Sequence, residues 1–148
     1  MSRKRLNEAG SGIYFVTIRT AKGLHLFGEI VDGMMTCNPA GEMIHHWWQE
    51  LKHKYPDIQL DAFIVMPNHM HCIIVLPEDT PLDLSTPLQW FKTMTTNAYI
   101  RGVKEQDWQR FDGKLWQGRY YDVRVRSADD LTRIRDYIQM NPARWHKK

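Results

Sequence analysis

Two apolar runs separated by a Pro-Asn pair constrain the fold of this chain more than any other feature, in the sequence FIVMPNHMHCIIV at residues 63–75. The runs are rich in β-branched residues and predict strands over residues 58–66 and 69–76, joined by a tight turn. Side chains alternate between the two faces of a strand, so His69 and His71 point the same way. We therefore expect a hairpin that carries two imidazoles on one face.

The rest of the chain alternates short strands with amphipathic helices. The segment 38–56 places four apolar residues at helical spacing, namely Ile44, Trp47, Trp48 and Leu51. Near the C-terminus, Ser127 precedes Asp130 by three residues, a variant of the capping box that begins a helix. The other predicted elements are strands at 13–18, 24–31 and 120–126, helices at 85–103 and 128–140, and a loop at 102–117.

This order of elements, β-β-α-β-β-α-β-α, favours an α+β fold. The simplest architecture is a ferredoxin-like antiparallel sheet with helices mainly on one face, plus a C-terminal helix. A length of 148 residues suits one domain with a buried core. We expect a single domain over residues 1–148, with residues 1–11 flexible.

Composition indicates a globular protein without a membrane span. Hydrophobic residues make up 43% of the chain and charged residues 25%, which is ordinary for a globular domain. No run approaches the ~18 consecutive apolar residues of a membrane helix. The basic N-terminus is not followed by the apolar segment of a signal peptide. We therefore expect a cytoplasmic protein with no membrane partner.

Charge is distributed unevenly, and the basic half of the chain is also rich in tryptophan. Residues 1–80 carry a net charge of −2, whereas residues 81–148 carry +5 and four of the six tryptophans. Cations meet phosphates and aromatic rings stack on bases, so this pattern suits nucleic acid. Charge alone favours the alternative, a solvated surface over an aromatic core.

His69 and His71 can converge on one metal ion, because neutral imidazole binds many divalent metals. Two histidines leave such a site incomplete, so a third ligand and open positions for water or substrate are required. The alternative is a pair of buried histidines that bond to the backbone or to a carboxylate. The His-x-His spacing alone does not decide between these interpretations.

The last predicted helix carries Tyr137 and Asn141 four residues apart, so the two side chains are neighbours on one helix face. Arg133 extends the same stripe by one turn. A tyrosine hydroxyl can attack a phosphodiester and form a covalent phosphotyrosine. Alternatively, Tyr137 lies at the edge of the core and Asn141 caps the helix before Pro142.

Together these segments resemble a known family. MPNHMHCIIV is similar to the metal-binding signature of the HUH endonucleases, and LWQGRYYDVRVRSADDLTRIRDYIQMNPARW is similar to the C-terminal block of single-tyrosine transposases. With GIYFVTIRT and LQWFK, the order of segments resembles that of the REP-associated tyrosine transposases and their insertion-sequence relatives. The resemblance extends from about residue 12 to 145.

The resemblance implies a metal-dependent, single-strand DNA endonuclease and strand transferase with a covalent 5′-phosphotyrosine intermediate. It implies Tyr137 as the nucleophile and His69 and His71 as ligands of Mg²⁺ or Mn²⁺. Asn141 stands where insertion-sequence relatives have a glutamine, and would be the third ligand. The implied partner is single-stranded DNA that forms hairpins, bound by a monomer or a homodimer.

Basic, aromatic and amide side chains of the second half are candidates for DNA contact. Cations would meet phosphates, and an indole and an amide would meet bases. The candidates are Lys92, Trp116, Gln117, Arg119, Arg124, Arg126 and Arg133.

Two other functions compete with this interpretation. A non-catalytic nucleic-acid-binding module can also have a ferredoxin-like sheet with exposed aromatics, but no Gly-Phe-x-Phe string occurs in the predicted strands. A metal-dependent oxidoreductase would need a further histidine or carboxylate at a telling spacing near His69 and His71, and none is present.

Overall fold

The computed structural model describes residues 12–145, and the predicted flexibility of residues 1–11 lies outside this range. Within it, the chain is an α+β fold, as predicted. In chain order the elements are β1 Gly12–Arg19, β2 Gly28–Val31, β3 Met34–Cys37, α1 Pro39–Lys54, β4 Gln59–Met66, β5 His69–Leu76, α2 Ser85–Gln106, β6 Tyr121–Val125 and α3 Ala128–Met140.

Four strands form one antiparallel sheet in the order β4-β5-β1-β6. Helices α1 and α2 connect β1 to β4 and β5 to β6, which is the βαββαβ arrangement of a ferredoxin-like fold. This confirms the predicted architecture. It also makes β1 and β5 the two central strands. Side chains on either face of these strands are therefore flanked by side chains of an adjacent strand on each side.

The core lies between one face of the sheet and helices α1 and α2. β5 sends alternate side chains into it, and Met70, Cys72 and Ile74 are fully buried there. From α1, Ile44, Trp48 and Leu51 are buried as predicted, while Trp47 is half-buried. The opposite face of β5 carries His69 and His71, and helix α3 covers it.

Helix α3 is attached to the sheet by few contacts. Its N-terminus is capped as predicted, since the Ser127 Oγ accepts a hydrogen bond from the Asp130 N–H at 3.0 Å. Arg135 donates Nε and a terminal nitrogen to the two Asp61 carboxylate oxygens, at 2.9 and 2.7 Å. Asp61 lies at a β-bulge in β4, where the pairing with β5 shifts register. Ile138 is the buried apolar residue of the helix.

The predicted strand at 24–31 is wrong in its extent. Only Gly28–Val31 is a strand, and it pairs with Met34–Cys37 in a separate two-stranded hairpin. Asp32 and Gly33 both adopt positive φ, at 53° and 75°, as the tight Asp-Gly turn of such a hairpin requires. The Asp-Gly pair between apolar residues is a hairpin signal that the prediction did not use.

The predicted loop at 102–117 begins later, because α2 continues to Gln106. Gly102 does not end the helix. It provides space for the Trp108 ring, which would lie only 2.1 Å from a Cβ at this position. The helix ends instead at Asp107, which takes a left-handed conformation with φ of 62°. No helix within residues 12–145 is long and apolar enough to cross a bilayer.

Candidate active site

The two histidines predicted to bind metal lie side by side on the face of β5 that α3 covers. In the β1–β5 ladder, Thr17 pairs with His71 and Arg19 pairs with His69. The two imidazole centroids are 4.7 Å apart. The alternation of the strand places both rings on one face, as predicted, and that face is sheltered, since His69 and His71 are only 7% and 4% exposed.

Each ring is held through its Nδ1 atom. His69 Nδ1 lies 2.7 Å from the Asn68 Oδ1, an acceptor, so Nδ1 donates its hydrogen and the Nε2 lone pair is available to a ligand. Asn68 is oriented in turn, because its amide nitrogen donates to the Gly23 carbonyl at 3.5 Å. His71 Nδ1 lies 2.8 Å from the Thr17 hydroxyl oxygen, and in the tautomer in which Nδ1 donates to that oxygen the Nε2 lone pair is available to a ligand.

The environment keeps both imidazoles neutral. Burial is the main cause that lowers the pKa of His69 to about 4, with the Arg19 charge adding to it and a hydrogen bond with the Asn141 side chain opposing it. Burial likewise lowers the pKa of His71 to about 3, with further contributions from His69 and Arg19. Neutral imidazole is the form that binds a metal ion, so the site is ready for one at neutral pH.

Helix α3 brings the predicted nucleophile to the same place. The Tyr137 ring makes edge contacts with His71 at 5.4 Å and with Phe15 at 6.0 Å between centroids. Its side chain is 45% exposed, so the hydroxyl is open to a large substrate. One turn later, the Asn141 side chain meets His69. One chain thus places all four predicted catalytic and metal-binding residues around one cleft.

The cleft has a volume of about 260 Å³. Its walls contain amide, imidazole, guanidinium and aromatic groups and no carboxylate. The lining residues are Arg19, Asn68, His69, His71, Tyr137, Asn141, Arg144 and Trp145.

The donors present suit a divalent ion with open coordination positions. Two imidazole Nε2 atoms and the Asn141 amide oxygen would hold it, leaving room for water or a phosphate oxygen. No cluster of three or more His, Cys, Asp or Glu exists among the residues that the structure describes.

Of the side chains predicted to contact DNA, Trp116 occupies an unexpected position. It is 3% exposed, packs on Phe27 and Phe91, and donates its indole N–H to Thr95 Oγ1 at 2.9 Å. The ring is largely enclosed, although Trp116 also lines the groove that contains Lys92 and Gln117, so its contact with DNA stays a prediction. Sequence reasoning treated residues 102–117 as a surface loop, whereas the bridge from Trp116 to Thr20 fixes its end to the sheet.

The Arg124 side chain lies on the face of the sheet opposite to the cleft. It pairs with Tyr14 in the β1–β6 ladder, and both side chains point to the helical side of the sheet. A terminal nitrogen of Arg124 donates to the Tyr14 hydroxyl at 2.7 Å, and the guanidinium lies over the Tyr14 ring. Arg124 therefore stabilises the sheet edge away from the candidate site.

Lys92 and Gln117 border a polar groove of about 390 Å³ beside the cleft. Lys92 donates its ammonium to the carbonyls of Gln117 and Gly118, at 2.9 and 3.4 Å. The Gln117 N–H donates to the Arg19 carbonyl at 2.8 Å, so the groove and the cleft adjoin at the end of β1.

Three further predicted DNA contacts, Arg119, Arg126 and Arg133, are exposed. Arg133 lies one turn before Tyr137 and is paired with Asp130. These three positions are compatible with the prediction.

Five residues of the site were not predicted from the sequence. Asn68 was interpreted as a turn residue only. Thr17 was part of a predicted apolar strand, and Arg19 lay just beyond its end. Their alternation with Phe15 places them on the histidine face, a signal that was available once β1 and β5 were known to be neighbours. Arg144 and Trp145 follow the last helix, where no local pattern marks them.

The chain is similar in sequence and in fold to proteins of one known family. The family model described as "Transposase IS200 like" matches residues 35–141. A Haemophilus influenzae protein without an assigned function is 30% identical over 157 residues, which cover 97% of this chain and 87% of the relative.

Two relatives have assigned activities. A REP-associated tyrosine transposase of Escherichia coli is 31% identical over 109 residues, 72% of this chain but only 58% of the longer relative. Among solved structures, a REP-associated tyrosine transposase bound to a REP hairpin superposes with a TM-score of 0.67 and 25% identity, covering 90% of this chain and 67% of that one.

Proposed function

Since the chain belongs to the IS200-like transposase family, whose members cleave and rejoin DNA, we propose that Tyr137 is the nucleophile that cleaves the DNA strand. We further propose that His69, His71 and Asn141 hold a divalent metal ion, Mg²⁺ or Mn²⁺. The whole chain would act as one domain.

The observation that carries this proposal is the meeting of α3 with the histidine face of β5. Tyr137 contacts His71, and Asn141 meets His69, although 66 or more positions separate the two segments in the chain. A nucleophile, two neutral nitrogen ligands and an amide oxygen together suit phosphoryl transfer.

The reaction would proceed by transesterification. The Tyr137 oxygen attacks the phosphorus, the bond from phosphorus to the 3′ oxygen breaks, and the DNA 5′ end becomes covalently bound to the tyrosine. The phenol proton leaves to solvent, and a proton from solvent completes the 3′-hydroxyl. His69 and His71 are poor proton acceptors, because their pKa values lie near 4 and 3.

A bound divalent cation would polarise the phosphate and offset the charge that develops on it. The chain's own residues fix the position of the nucleophile relative to that phosphate. Attack of the 3′-hydroxyl on the phosphotyrosine reverses the reaction and rejoins the strands without an external energy source.

The proposed substrate is single-stranded DNA next to a hairpin. A related transposase is known in complex with a REP hairpin, which supports this choice. Beyond the cleft, the strand would follow the groove of Lys92 and Gln117, which adjoins Arg19. Exposed Arg119 and Arg133 would add further phosphate contacts.

A covalent-trapping experiment tests the proposal. The protein is incubated with Mn²⁺ and labelled single-stranded hairpin DNA, and a denaturing gel shows any covalent adduct. We expect an adduct that disappears in Tyr137→Phe and persists in Tyr121→Phe, a matched change at an exposed tyrosine on the same face of the sheet. An adduct that survives Tyr137→Phe contradicts the assignment of the nucleophile.

The metal ligands need a separate variant. His69→Ala combined with His71→Ala is expected to abolish the adduct while the circular dichroism spectrum remains that of a folded protein. Adduct formation in this double variant would refute the metal site. Tight hairpin binding without any adduct, in the unmodified protein, would favour the non-catalytic binding module.

A further inference from the structure

Three side chains in the walls of the cleft are not used by the proposed chemistry: Arg19, Arg144 and Trp145. Arg19 ends β1 and pairs with His69 across the ladder. Arg144 ends the short 3-10 turn Pro142–Arg144 that continues from α3, and Trp145 comes directly after it. The three residues thus come from opposite ends of the described chain and meet beside the metal-binding histidines.

The two arginines have no counter-charge among the residues that the structure describes. Within residues 12–145, neither the Arg19 nor the Arg144 side chain makes an ion pair or a hydrogen bond, and no carboxylate lines the cleft. The Arg19 backbone is nevertheless held in place by the Gln117 N–H. Cationic side chains without a counter-charge in the wall of a cleft favour binding of an anion. Phosphate suits them well, because two of its oxygens can accept hydrogen bonds from the two parallel N–H groups of a guanidinium.

Trp145 adds an aromatic surface next to these cations. Its indole lies nearly parallel to the His69 ring, with 24° between the planes and 6.2 Å between centroids, and meets the edge of His25 at 5.6 Å. The backbone N–H of Trp145 donates to the Pro142 carbonyl at 3.2 Å, and this bond holds the backbone at Trp145 in place. The side chain is half-buried and lines the cleft, so part of the ring remains available.

A cationic groove next to an aromatic surface is the arrangement with which proteins hold single-stranded nucleic acid. We propose that Arg19, Arg144 and Trp145 form a nucleotide subsite, in which the arginines bind backbone phosphate and the indole stacks on the base beside the scissile phosphate. This inference rests on the proposed function, and it names how the same site positions its substrate. An indole can stack on any of the four bases, so the subsite would position the DNA strand without selecting its sequence.

Binding without metal separates this subsite from cleavage. Fluorescence anisotropy with EDTA present measures the dissociation constants of two labelled probes of about twelve units, an oligothymidylate and an abasic deoxyribose-phosphate oligomer. The two probes carry the same phosphates, and only the first has bases. The variants are Trp145→Ala, Trp145→Phe, Arg19→Gln and Arg144→Gln. The matched control is Arg101→Gln, at an exposed position on α2.

The tryptophan is tested by the preference for bases. We expect unmodified protein to bind oligothymidylate more tightly than the abasic probe. Trp145→Ala is expected to reduce the ratio of the two dissociation constants at least about fivefold, because one stacked base is lost. Trp145→Phe keeps an aromatic face and is expected to retain most of the preference. An unchanged ratio in Trp145→Ala overturns the stacking role.

The arginines are tested by the salt dependence of binding. Each phosphate contact on a single strand contributes about 0.7 to the slope of log affinity against log salt. Arg19→Gln and Arg144→Gln are each expected to lower the slope by about this amount, and Arg101→Gln is expected to leave it unchanged. Slopes equal to that of the unmodified protein in both variants overturn the phosphate role.

Because no step of these measurements involves cleavage, the two proposals can fail separately. If the binding changes appear but no covalent adduct forms on any hairpin, the subsite is supported and the proposed function fails. If Tyr137 forms the adduct but none of these variants changes the dissociation constant of either probe, the subsite is refuted and the proposed function stands.

Discussion

The Thr17 hydroxyl oxygen lies 2.8 Å from the Nδ1 atom of His71, directly across the β1–β5 ladder. The contact joins two central strands at a point where both side chains are buried. It fixes the orientation of the imidazole, and when the hydroxyl accepts the Nδ1 hydrogen, Nε2 is the nitrogen that can bind a metal ion. Partners of this kind commonly affect metal affinity nearly as much as the ligands do.

Thr17→Val is therefore expected to weaken Mn²⁺ binding about 10- to 100-fold, because valine keeps the shape but cannot hold the ring. Isothermal titration calorimetry of the DNA-free protein measures this change. Thr36→Val, at an exposed strand position in the separate β2–β3 hairpin, is the matched control and is expected to bind Mn²⁺ normally. Equal affinity in both variants would show that Thr17 does not support the ligand.

The ion pair between Asp61 and Arg135 is expected to position the nucleophile, because Arg135 lies two residues before Tyr137 on α3. Asp61→Asn should slow adduct formation at saturating DNA while lowering the free energy of unfolding by only about 0.5–1 kcal/mol. The charge-reversed pair, Asp61→Arg with Arg135→Asp, should recover part of the rate. Asp112→Asn removes the exposed ion pair with Lys22 elsewhere and serves as the control. A normal rate in Asp61→Asn contradicts the positioning role.

The site is assembled within one chain, so the tyrosine is expected to act beside its own histidines. Mixing Tyr137→Phe protein with His71→Ala protein should then produce no adduct, since neither chain has a complete site. The denaturing-gel assay measures this directly over a range of protein concentrations. An adduct that appears only in the mixture would show that two chains exchange α3 and work as a dimer.

The two buried histidines predict a loss of stability in acid for the metal-free protein. Their folded pKa values, about 4 and 3, lie below the value near 6.5 of an unfolded histidine. The unfolded chain therefore takes up protons first, and the free energy of unfolding falls as pH decreases from 6.5 toward 4. Between pH 6.5 and 5 the loss is about 1–2 kcal/mol for each histidine.

Urea unfolding at a series of pH values, with EDTA present, checks this expectation. His71→Asn should flatten the dependence on pH, whatever its effect on stability at pH 7. His53→Asn, at an exposed position on α1, should leave the dependence unchanged. If His71→Asn and the unmodified protein show the same pH profile, His71 is not a buried neutral group.

Local sequence patterns predicted those elements of the fold that depend on residues close together in the chain. The apolar runs around Pro67 gave the β4–β5 hairpin, and the helical spacing from Ile44 to Leu51 gave the buried face of α1. The end of α2 was missed because a glycine usually weakens a helix, whereas Gly102 serves to admit the Trp108 ring. That contact depends on the tertiary structure.

The candidate site was only partly predictable for the same reason. His69, His71, Tyr137 and Asn141 lie in two segments with unusual spacing, and resemblance to a family connected those segments. Trp116 could not be placed in the core without knowing that its segment bridges to Thr20. Arg19 and Trp145 become neighbours only when the sheet has formed and α3 lies on it.

Strand β5 alternates residues of the cleft with residues of the core, since His69 and His71 face α3 while Met70 and Cys72 face α1 and α2. A larger or smaller side chain on the core side shifts the backbone that carries the imidazoles. Random mutagenesis of this strand should therefore yield few variants that separate thermal stability from activity. Substitutions intended to raise thermal stability should instead begin at the β2–β3 hairpin. Met34 and Val31 are exposed there, and the hairpin carries none of the proposed catalytic or metal-binding residues.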